Sequence, residues 1–315
     1  MESTRKHSWF PEDNCPWWLV SMRYIMQKIG PIPNHVAFVM DGNRRFAKSK
    51  NLGSAVEGHK MGFQQLAKII DWCREFDIKE VTVYAFSIEN FKRSKEEVDG
   101  LLELAEKQFQ ELLDEKNELE KRKVCFRFFG DMQLLSPNLQ SLTAKIELTT
   151  KNYSHAFINI CLAYSSQNEI ERAMKKMEAG VTAGVLKQEN VTEDLLEKCL
   201  DTRYGSPIDL FIRTSGEQRF SDFLLYQCSN THLYFDDVLW PDFGAWHLIK
   251  AVRSFQGDYD KVKQISHDLQ ASREKSSEFN KHDSVQEQRK FLDWVEIYQT
   301  QHLIKMAQQH PANLC

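Results

Sequence analysis

No apolar stretch in this chain approaches the about 18 residues that a membrane-spanning helix needs, and residues 1–12 are polar, without the hydrophobic centre of a secretory signal. Cysteine stands at 15, 73, 125, 161, 199, 228 and 315, with no Cys-x-x-Cys pair and mostly inside apolar runs. That usage argues against a disulfide framework and for buried reduced thiols in a reducing, cytosolic compartment. The histidines show no His-Glu-x-x-His or related spacing, so no zinc site is expected. Asp236-Asp237 lacks the further carboxylate of an Asp-Asp-x-x-Asp metal motif. An excess of one charge is missing too: 41 basic against 45 acidic residues leave −4. A general polyanion-binding surface and a nucleic-acid partner are therefore not expected, and any anion site must come from locally concentrated arginines.

What is present is an ordinary globular composition, 42% hydrophobic over 315 residues, enough for a substantial core. Residues 8–29 are aromatic, and Trp18, Met22, Ile25, Met26 and Ile29 fall on one side of a helix that Gly30-Pro31-Ile32-Pro33 breaks. This amphipathic arm, residues 1–30, is placed to cover a pocket, to rest on a membrane surface or to pack on its own domain. Residues 36–40, 81–86, 124–129, 157–163 and 210–213 are short, rich in β-branched or aromatic residues and lack polar alternation, which predicts buried strands. Between the first two, Phe63, Leu66, Ala67, Ile70 and Cys73 share one helical face. Ser94 opens a long helix with the stripe Val98, Leu101, Leu102, Ala105, Phe109 and Leu112. Further helices are predicted over 133–149, 166–179, 193–200 and 240–255. Alternating strands and helices give an α/β fold, a mainly parallel central sheet flanked by helices, over residues 31–256. Residues 257–315 turn to Lys, Glu, Gln, Ser and His and read as a charged helical tail with a possible partner contact.

Three strand ends carry chemistry. Met40-Asp41-Gly42-Asn43-Arg44-Arg45-Phe46 closes the first strand with a carboxylate, a glycine and two arginines. Glycine lets backbone N–H groups approach phosphate oxygens, arginine supplies planar multidentate donors, and aspartate can carry the Mg²⁺ that neutralises a diphosphate. Phe86-Ser87-Ile88-Glu89-Asn90-Phe91-Lys92-Arg93 closes the second, where Ser87 and Asn90 offer neutral hydrogen-bonding groups and Arg93 a further phosphate ligand. Glu89 and Arg93 could instead form a surface pair. Arg213-Thr214-Ser215-Gly216-Glu217-Gln218-Arg219-Phe220-Ser221 follows the last strand, with two arginines able to hold one diphosphate from opposite sides. His59, in Glu57-Gly58-His59, is expected at a helix start, donating to phosphate or serving as a cap. Since ligands of parallel sheets bind beyond the C-terminal strand ends, the three loops on one sheet edge predict a site that holds two diphosphate groups.

These loops, with Val238-Leu239-Trp240-Pro241 after them, resemble the cis-prenyltransferase (undecaprenyl diphosphate synthase-like) family in residue type and order, over about residues 32 to 255. The resemblance implies sequential condensation of isopentenyl diphosphate onto an allylic primer, farnesyl diphosphate. The product would be a long-chain polyprenyl (dehydrodolichyl) diphosphate for dolichol synthesis and protein glycosylation. It implies that Asp41 binds Mg²⁺ and the primer diphosphate, with Gly42, Asn43, Arg44, Arg45, His59, Ser87 and Arg93 around it. Arg213, Arg219 and Ser221 would hold isopentenyl diphosphate, and Asn90 would stand near the proton-removal step, although an amide is a poor base at neutral pH. The stripe Val98, Leu101, Leu102, Ala105 and Phe109 would line a tunnel for the growing chain or pack as ordinary core.

Two positions depart from the family pattern. His232 replaces an acidic residue of bacterial members, leaving Mg²⁺ chiefly to Asp41, and Ala55 replaces an arginine four residues before His59. No Arg-x-Gly occurs in the tail, whose last residues are Gln309-His310-Pro311-Ala312-Asn313-Leu314-Cys315. The expectation is a heteromer with a Nogo-B receptor-like subunit that supplies the motif and a membrane anchor. The chain would then be peripheral, on the cytosolic face of the endoplasmic reticulum. The alternative is a non-catalytic polyprenyl diphosphate-binding subunit of such a complex. A phosphohydrolase working through an aspartyl-phosphate fits less well, because Asn43 stands where it wants a second carboxylate.

Overall fold

The computed structural model describes residues 8–10, 16–277 and 282–309. Cys15, Cys315 and the end of the tail beyond Gln309 lie outside the described residues. In chain order the elements are α1 (Trp17–Ile29), β1 (His35–Val39), α2 (Asn43–Ser49), α3 (Ala55–Glu75), β2 (Glu80–Ser87), α4 (Lys95–Asp114), α5 (Lys116–Arg122), β3 (Val124–Phe129) and α6 (Pro137–Thr150). They continue as β4 (Ala156–Tyr164), α7 (Ser166–Thr182), α8 (Glu193–Glu197), β5 (Leu210–Arg213), β6 (His232–Phe235), α9 (Ala245–Ser277) and α10 (His282–Gln308).

The strands form one sheet in the order β3-β4-β2-β1-β5-β6, and every pairing is parallel. Side chains alternate between its two faces as the pleat requires. On β1, Val36 and Phe38 enter a core with Leu66, Ile69, Val83, Phe126, Ile160, Leu248 and Phe255, while Ala37 and Val39 enter a second with Phe129, Tyr164, Phe211 and Phe223. Because the chain builds outward through β2, β3 and β4 and then crosses to β5, β1 sits at the topological switch point. That is where parallel sheets open a crevice beyond the C-terminal strand ends.

The five predicted strands are present, two of them, β3 and β5, at the predicted bounds. The sixth, β6, was missed because its four residues, with a histidine and a tyrosine among them, make no apolar run. The helix over 133–149 begins only at Pro137, where Ser136 caps it, since Met132–Leu134 form a separate turn capped by Asp131. The helix over 193–200 ends at Glu197. Trp240–Asp242 is likewise a separate turn before α9, which runs on through the composition change near Gly257.

The arm buries only part of the face its stripe predicted. Leu19 and Met26 go into the core with Trp18 and Met22 beside them, whereas Ile25 and Ile29 stay exposed. The reason is the docking angle: Trp18 stacks on Trp246 of α9 at 4.9 Å, and Gln256 donates to the carbonyls of Met26 and Gly30 at 2.9 and 3.0 Å. Of the seven cysteines, Cys73, Cys125, Cys161, Cys199 and Cys228 are buried free thiols.

The short helix α2, which begins where the sequence reads as a polar turn, lies against α3 at two glycines. A Cβ on Gly58 would collide with the backbone carbonyl of Asn43 and stand 2.9 Å from the Ala47 Cβ. Gly→Ala in an open helix stabilises by up to about 1 kcal/mol. Here the overpacked backbone makes Gly58→Ala destabilising by roughly 1–3 kcal/mol, to be read as a lower urea midpoint at unchanged m-value; a raised midpoint would refute the contact.

Candidate active site

β1 delivers Asp41 to the C-terminal edge, and the next residue has to be small. Gly42 has φ +105°, and a Cβ there would lie 2.9 Å from Leu239 and 3.1 Å from Ser215. The loop is pinned by its neighbours: the Asp41 carbonyl accepts from the Trp240 N–H at 3.0 Å and the Thr214 hydroxyl at 2.7 Å, and the Trp240 indole donates to the Gly62 carbonyl at 2.8 Å. The Trp240-Pro241 motif thus holds the Asp41 loop in place.

The Asp41 carboxylate accepts from its own Gly42 N–H at 2.7 Å and from Arg213 Nη2 at 2.9 Å. Arg213, at the end of β5, is only 2% exposed. Its Nη1 donates to the Ser221 hydroxyl at 2.8 Å and to the Arg219 carbonyl, and its Nε is buried without a partner among the described residues. The loop that returns Ser221 to Arg213 is conformationally costly, with Ser215, Ser221, Asp222 and Leu224 all at positive φ.

At the end of β2, Ser87 and Asn90 close a capping box: the Ser87 N–H donates to Asn90 Oδ1 at 3.0 Å and the Ser87 hydroxyl accepts from the Glu89 N–H at 3.1 Å. The Asn90 carbonyl oxygen is thereby occupied, leaving its N–H groups as donors. Glu89 does not pair with Arg93; it pairs with Lys92 at 2.6 Å, while Arg93 donates to Glu97 at 2.8 Å. Arg44 Nε lies 3.9 Å from the same Glu97 oxygen. On the other side, Glu217 receives both Arg45, at 3.4 Å, and Arg219. Glu97 and Glu217 therefore balance four arginines, a role the sequence reading did not assign. For Glu97 the available signal was its spacing from Arg93 across the Ser94 cap that opens α4.

His59 does not start a helix. α3 begins at Ala55, capped by Ser54, whose hydroxyl accepts from the Glu57 N–H at 3.4 Å. The Ser-x-x-Glu spacing was the sequence signal for that cap. His59 sits one turn further in, largely buried, with Nε2 unpartnered among the described residues. Burial, reinforced by the charges of Arg93 and Arg44, lowers its pKa to about 4. Asn43 likewise buries an unpartnered Oδ1 while its amide donates to the Met40 carbonyl at 3.1 Å.

One cavity of about 1000 Å³ opens here. Asp41, Gly42, Asn43, Arg44, Arg45, His59, Ser87, Asn90, Arg93, Arg213, Arg219 and Ser221 line it together, so every candidate site residue named from the sequence converges here. Apolar wall comes from Phe63 and Leu66 of α3, Val83 and Phe86 of β2, Ile160 and Leu162 of β4, and Leu101, Leu102, Leu104, Ala105 and Phe109 of α4. Val98 is an exception among the stripe residues: it is buried in the core and is not part of the lining. Asp236 and Asp237 are not part of the lining, and Asp236 accepts from the Val238 N–H at 3.0 Å in a turn. Among the described residues no group of three His, Cys, Asp or Glu side chains is arranged to cage a metal ion. The donor set fits instead a hard cation held by one carboxylate and by substrate oxygens.

Residues 39–263 match the prenyltransferase family model described as "Putative undecaprenyl diphosphate synthase". The chain is 46% identical over 274 residues to a dehydrodolichyl diphosphate synthase complex subunit of Homo sapiens, covering 87% of this chain and 81% of that protein. It is 40% identical over 236 residues to the geranylgeranyl-diphosphate-specific tritrans,polycis-undecaprenyl-diphosphate synthase of Pyrococcus furiosus, covering 74% of this chain and 89% of that one. Lavandulyl diphosphate synthase from Lavandula x intermedia, solved with dimethylallyl diphosphate, superposes with a TM-score of 0.67 at 33% identity, over 73% of this chain and 96% of its own.

The neutral His59 makes stability depend on acid. Unfolded, its imidazole takes up a proton near pH 6.5; folded, only near 4, so between these values the unfolded chain binds more protons and acidification favours unfolding. From pH 7 to pH 4 the wild type should lose roughly 3 kcal/mol relative to His59→Gln, measured by urea unfolding at a series of pH values; parallel curves would show that His59 titrates normally.

Proposed function

The chain belongs to the undecaprenyl diphosphate synthase-like prenyltransferase family, and from that premise we propose that it adds isopentenyl diphosphate units successively to farnesyl diphosphate. The product is a long-chain polyprenyl (dehydrodolichyl) diphosphate that serves dolichol synthesis and protein glycosylation. One observation carries the reading. A ring of arginines and unpartnered polar atoms opens directly into an apolar cavity of about 1000 Å³, the shape and chemistry of a diphosphate head with a hydrocarbon tail.

In this reading the primer diphosphate lies against Gly42, Asn43, Arg44, Arg45, His59, Ser87 and Arg93. Isopentenyl diphosphate lies against Arg213, Arg219 and Ser221. Asp41 would hold Mg²⁺, which would supply charge neutralisation to the diphosphate. The arginines stabilise the same developing charge as the bond from allylic C1 to oxygen breaks and the isopentenyl double bond supplies the electrons of the new carbon–carbon bond. The resulting cation loses a proton to a diphosphate oxygen, leaving the new cis double bond. Asn90 positions rather than takes the proton, since an amide is a poor base at neutral pH; its side-chain oxygen receives the Ser87 N–H at 3.0 Å. His59, with its pKa lowered to about 4, contributes a neutral hydrogen bond.

Residues 31–256 form the catalytic unit, a division supported by the family match over 39–263. The arm over 1–30 and the tail over 257–315 serve attachment and partner contact. The partner is a Nogo-B receptor-like subunit that places the chain at the cytosolic face of the endoplasmic reticulum. The name of the human relative, a complex subunit, supports the existence of a partner. Among the described residues no helix is long and apolar enough to cross a membrane, in keeping with peripheral attachment.

The test is incorporation of labelled isopentenyl diphosphate onto farnesyl diphosphate with Mg²⁺, by the chain alone and with the partner. Partner-dependent long-chain product is expected, reduced by about 10²–10³-fold in Asp41→Ala. Robust turnover by the chain alone would remove the heteromer. No product in either condition would identify a non-catalytic polyprenyl diphosphate-binding subunit.

A further inference from the structure

The segment that carries Ser221 back to Arg213 is held by residues outside the diphosphate site. From Ser221 to Leu225 the chain passes through three positive-φ positions, Ser221 at +52°, Asp222 at +56° and Leu224 at +50°. Residues other than glycine enter this region at a cost, so such a segment keeps its shape only where its surroundings impose it. The start of α7 does so. The Ser166 N–H donates to the Asp222 carbonyl at 2.8 Å, the Ser166 hydroxyl accepts from the Leu225 N–H at 2.9 Å, and the Gln167 N–H donates to Asp222 Oδ1 at 3.3 Å. One residue, 1% exposed, thus bonds to both sides of Leu224. The helix itself does not use this hydroxyl, because α7 is capped by Ser165, which accepts from the Asn168 N–H at 3.3 Å. From β2, the Tyr84 hydroxyl lies 3.2 Å from the carbonyls of both Ser221 and Tyr164, and its ring stacks on Phe223 at 4.4 Å.

We infer that Ser166, together with Tyr84, is a positioning residue for the second substrate, holding Ser221 and through it Arg213 in the direction that receives the diphosphate of isopentenyl diphosphate. The inference rests on the assignment of Arg213, Arg219 and Ser221 to that diphosphate. Ser166 is not part of the cavity lining, so its loss deletes no substrate contact. It acts through the segment: Ser221 accepts from Arg213 Nη1 at 2.8 Å only while the strained turn brings it there. The groups assigned to the primer diphosphate stand on other elements, the start of α2, α3 and the end of β2. Loosening the turn should therefore weaken one substrate and spare the other. Ser166→Ala removes the acceptor of the Leu225 N–H and keeps the backbone bond to Asp222. Tyr84→Phe removes the hydroxyl and keeps the stack on Phe223.

The measurement is steady-state turnover, in the condition in which wild type makes product, with each substrate varied in turn. In Ser166→Ala the KM for isopentenyl diphosphate should rise about fivefold, as expected for one lost hydrogen bond, while the KM for farnesyl diphosphate stays within about twofold of wild type. Tyr84→Phe should shift in the same direction. A purely structural role would raise both KM values together and lower the thermal midpoint. Tyr84→Phe, which deletes a single oxygen atom, carries the test if Ser166→Ala does not fold. An unchanged KM for isopentenyl diphosphate, or parallel rises for the two substrates, would overturn the inference and leave the proposed function standing. A wild type without turnover in any condition would overturn the function reading and this inference together.

Discussion

A guanidinium buried at the end of β5 governs the site. Arg213 cannot shed its charge, so a side chain 2% exposed has to be met by acceptors. They are brought from two loops, Asp41 from the end of β1 and Ser221 with the Arg219 carbonyl from the turn after β5. To return Ser221, that turn holds four non-glycine residues at positive φ, each costing on the order of 1 kcal/mol or more. An unpaired buried arginine would cost about 3–5 kcal/mol, so the strain and the ion pair sustain one another. The consequence is that Asp41, the one carboxylate on the β1 loop, is fixed in direction before any substrate arrives.

The other arginines behave in the opposite way. Arg44, Arg45 and Arg219 are half exposed or more and lean on Glu97 and Glu217. Exposed pairs of this kind are worth about 0–1 kcal/mol, while a charge-assisted bond to a phosphate oxygen is worth about 1.5–3 kcal/mol. In the proposed reading, exchange of a carboxylate for a diphosphate would be downhill, and the glutamates offset the mutual repulsion of the arginines. His59, held neutral by burial, adds a polar contact without adding a charge.

Much of this was legible in the sequence because parallel strands write themselves as short apolar runs and the reactive residues follow immediately after. The ends of β1, β2 and β5 were located that way, and since those strands are adjacent in a parallel sheet their loops had to converge. What escaped was set by tertiary context. Asn43 begins α2 although Gly42-Asn43 has the local chemistry of a turn, because α2 is stabilised by packing on Gly58 and Gly62. β6 has too few apolar residues to register and exists as an edge strand on β5. Glu97 and Gln108 lie on the same helix in unremarkable sequence, and only the packing of α4 turns one to the arginines and brings the other to the cavity wall.

That helix links the two chemistries of the cavity. α4 begins beside the diphosphate site, with Arg93 just before its Ser94 cap and Glu97 in its first turn, and it reaches the apolar depth at Gln108 and Phe109. At about 1.5 Å rise per residue, the axial distance from Glu97 to Gln108 is about 16 Å. β2 runs through the same change in character, with Val83 and Phe86 in the apolar wall and Ser87 at the mouth, and a bulge between Tyr84 and Phe86 shifts its register against β4. A helix and a bulged strand, both rigid, thus carry a polar group and an apolar wall at fixed separation. An amphiphile bound here has its head and its tail registered by the same backbone, so the position of the head determines how far along α4 the tail extends.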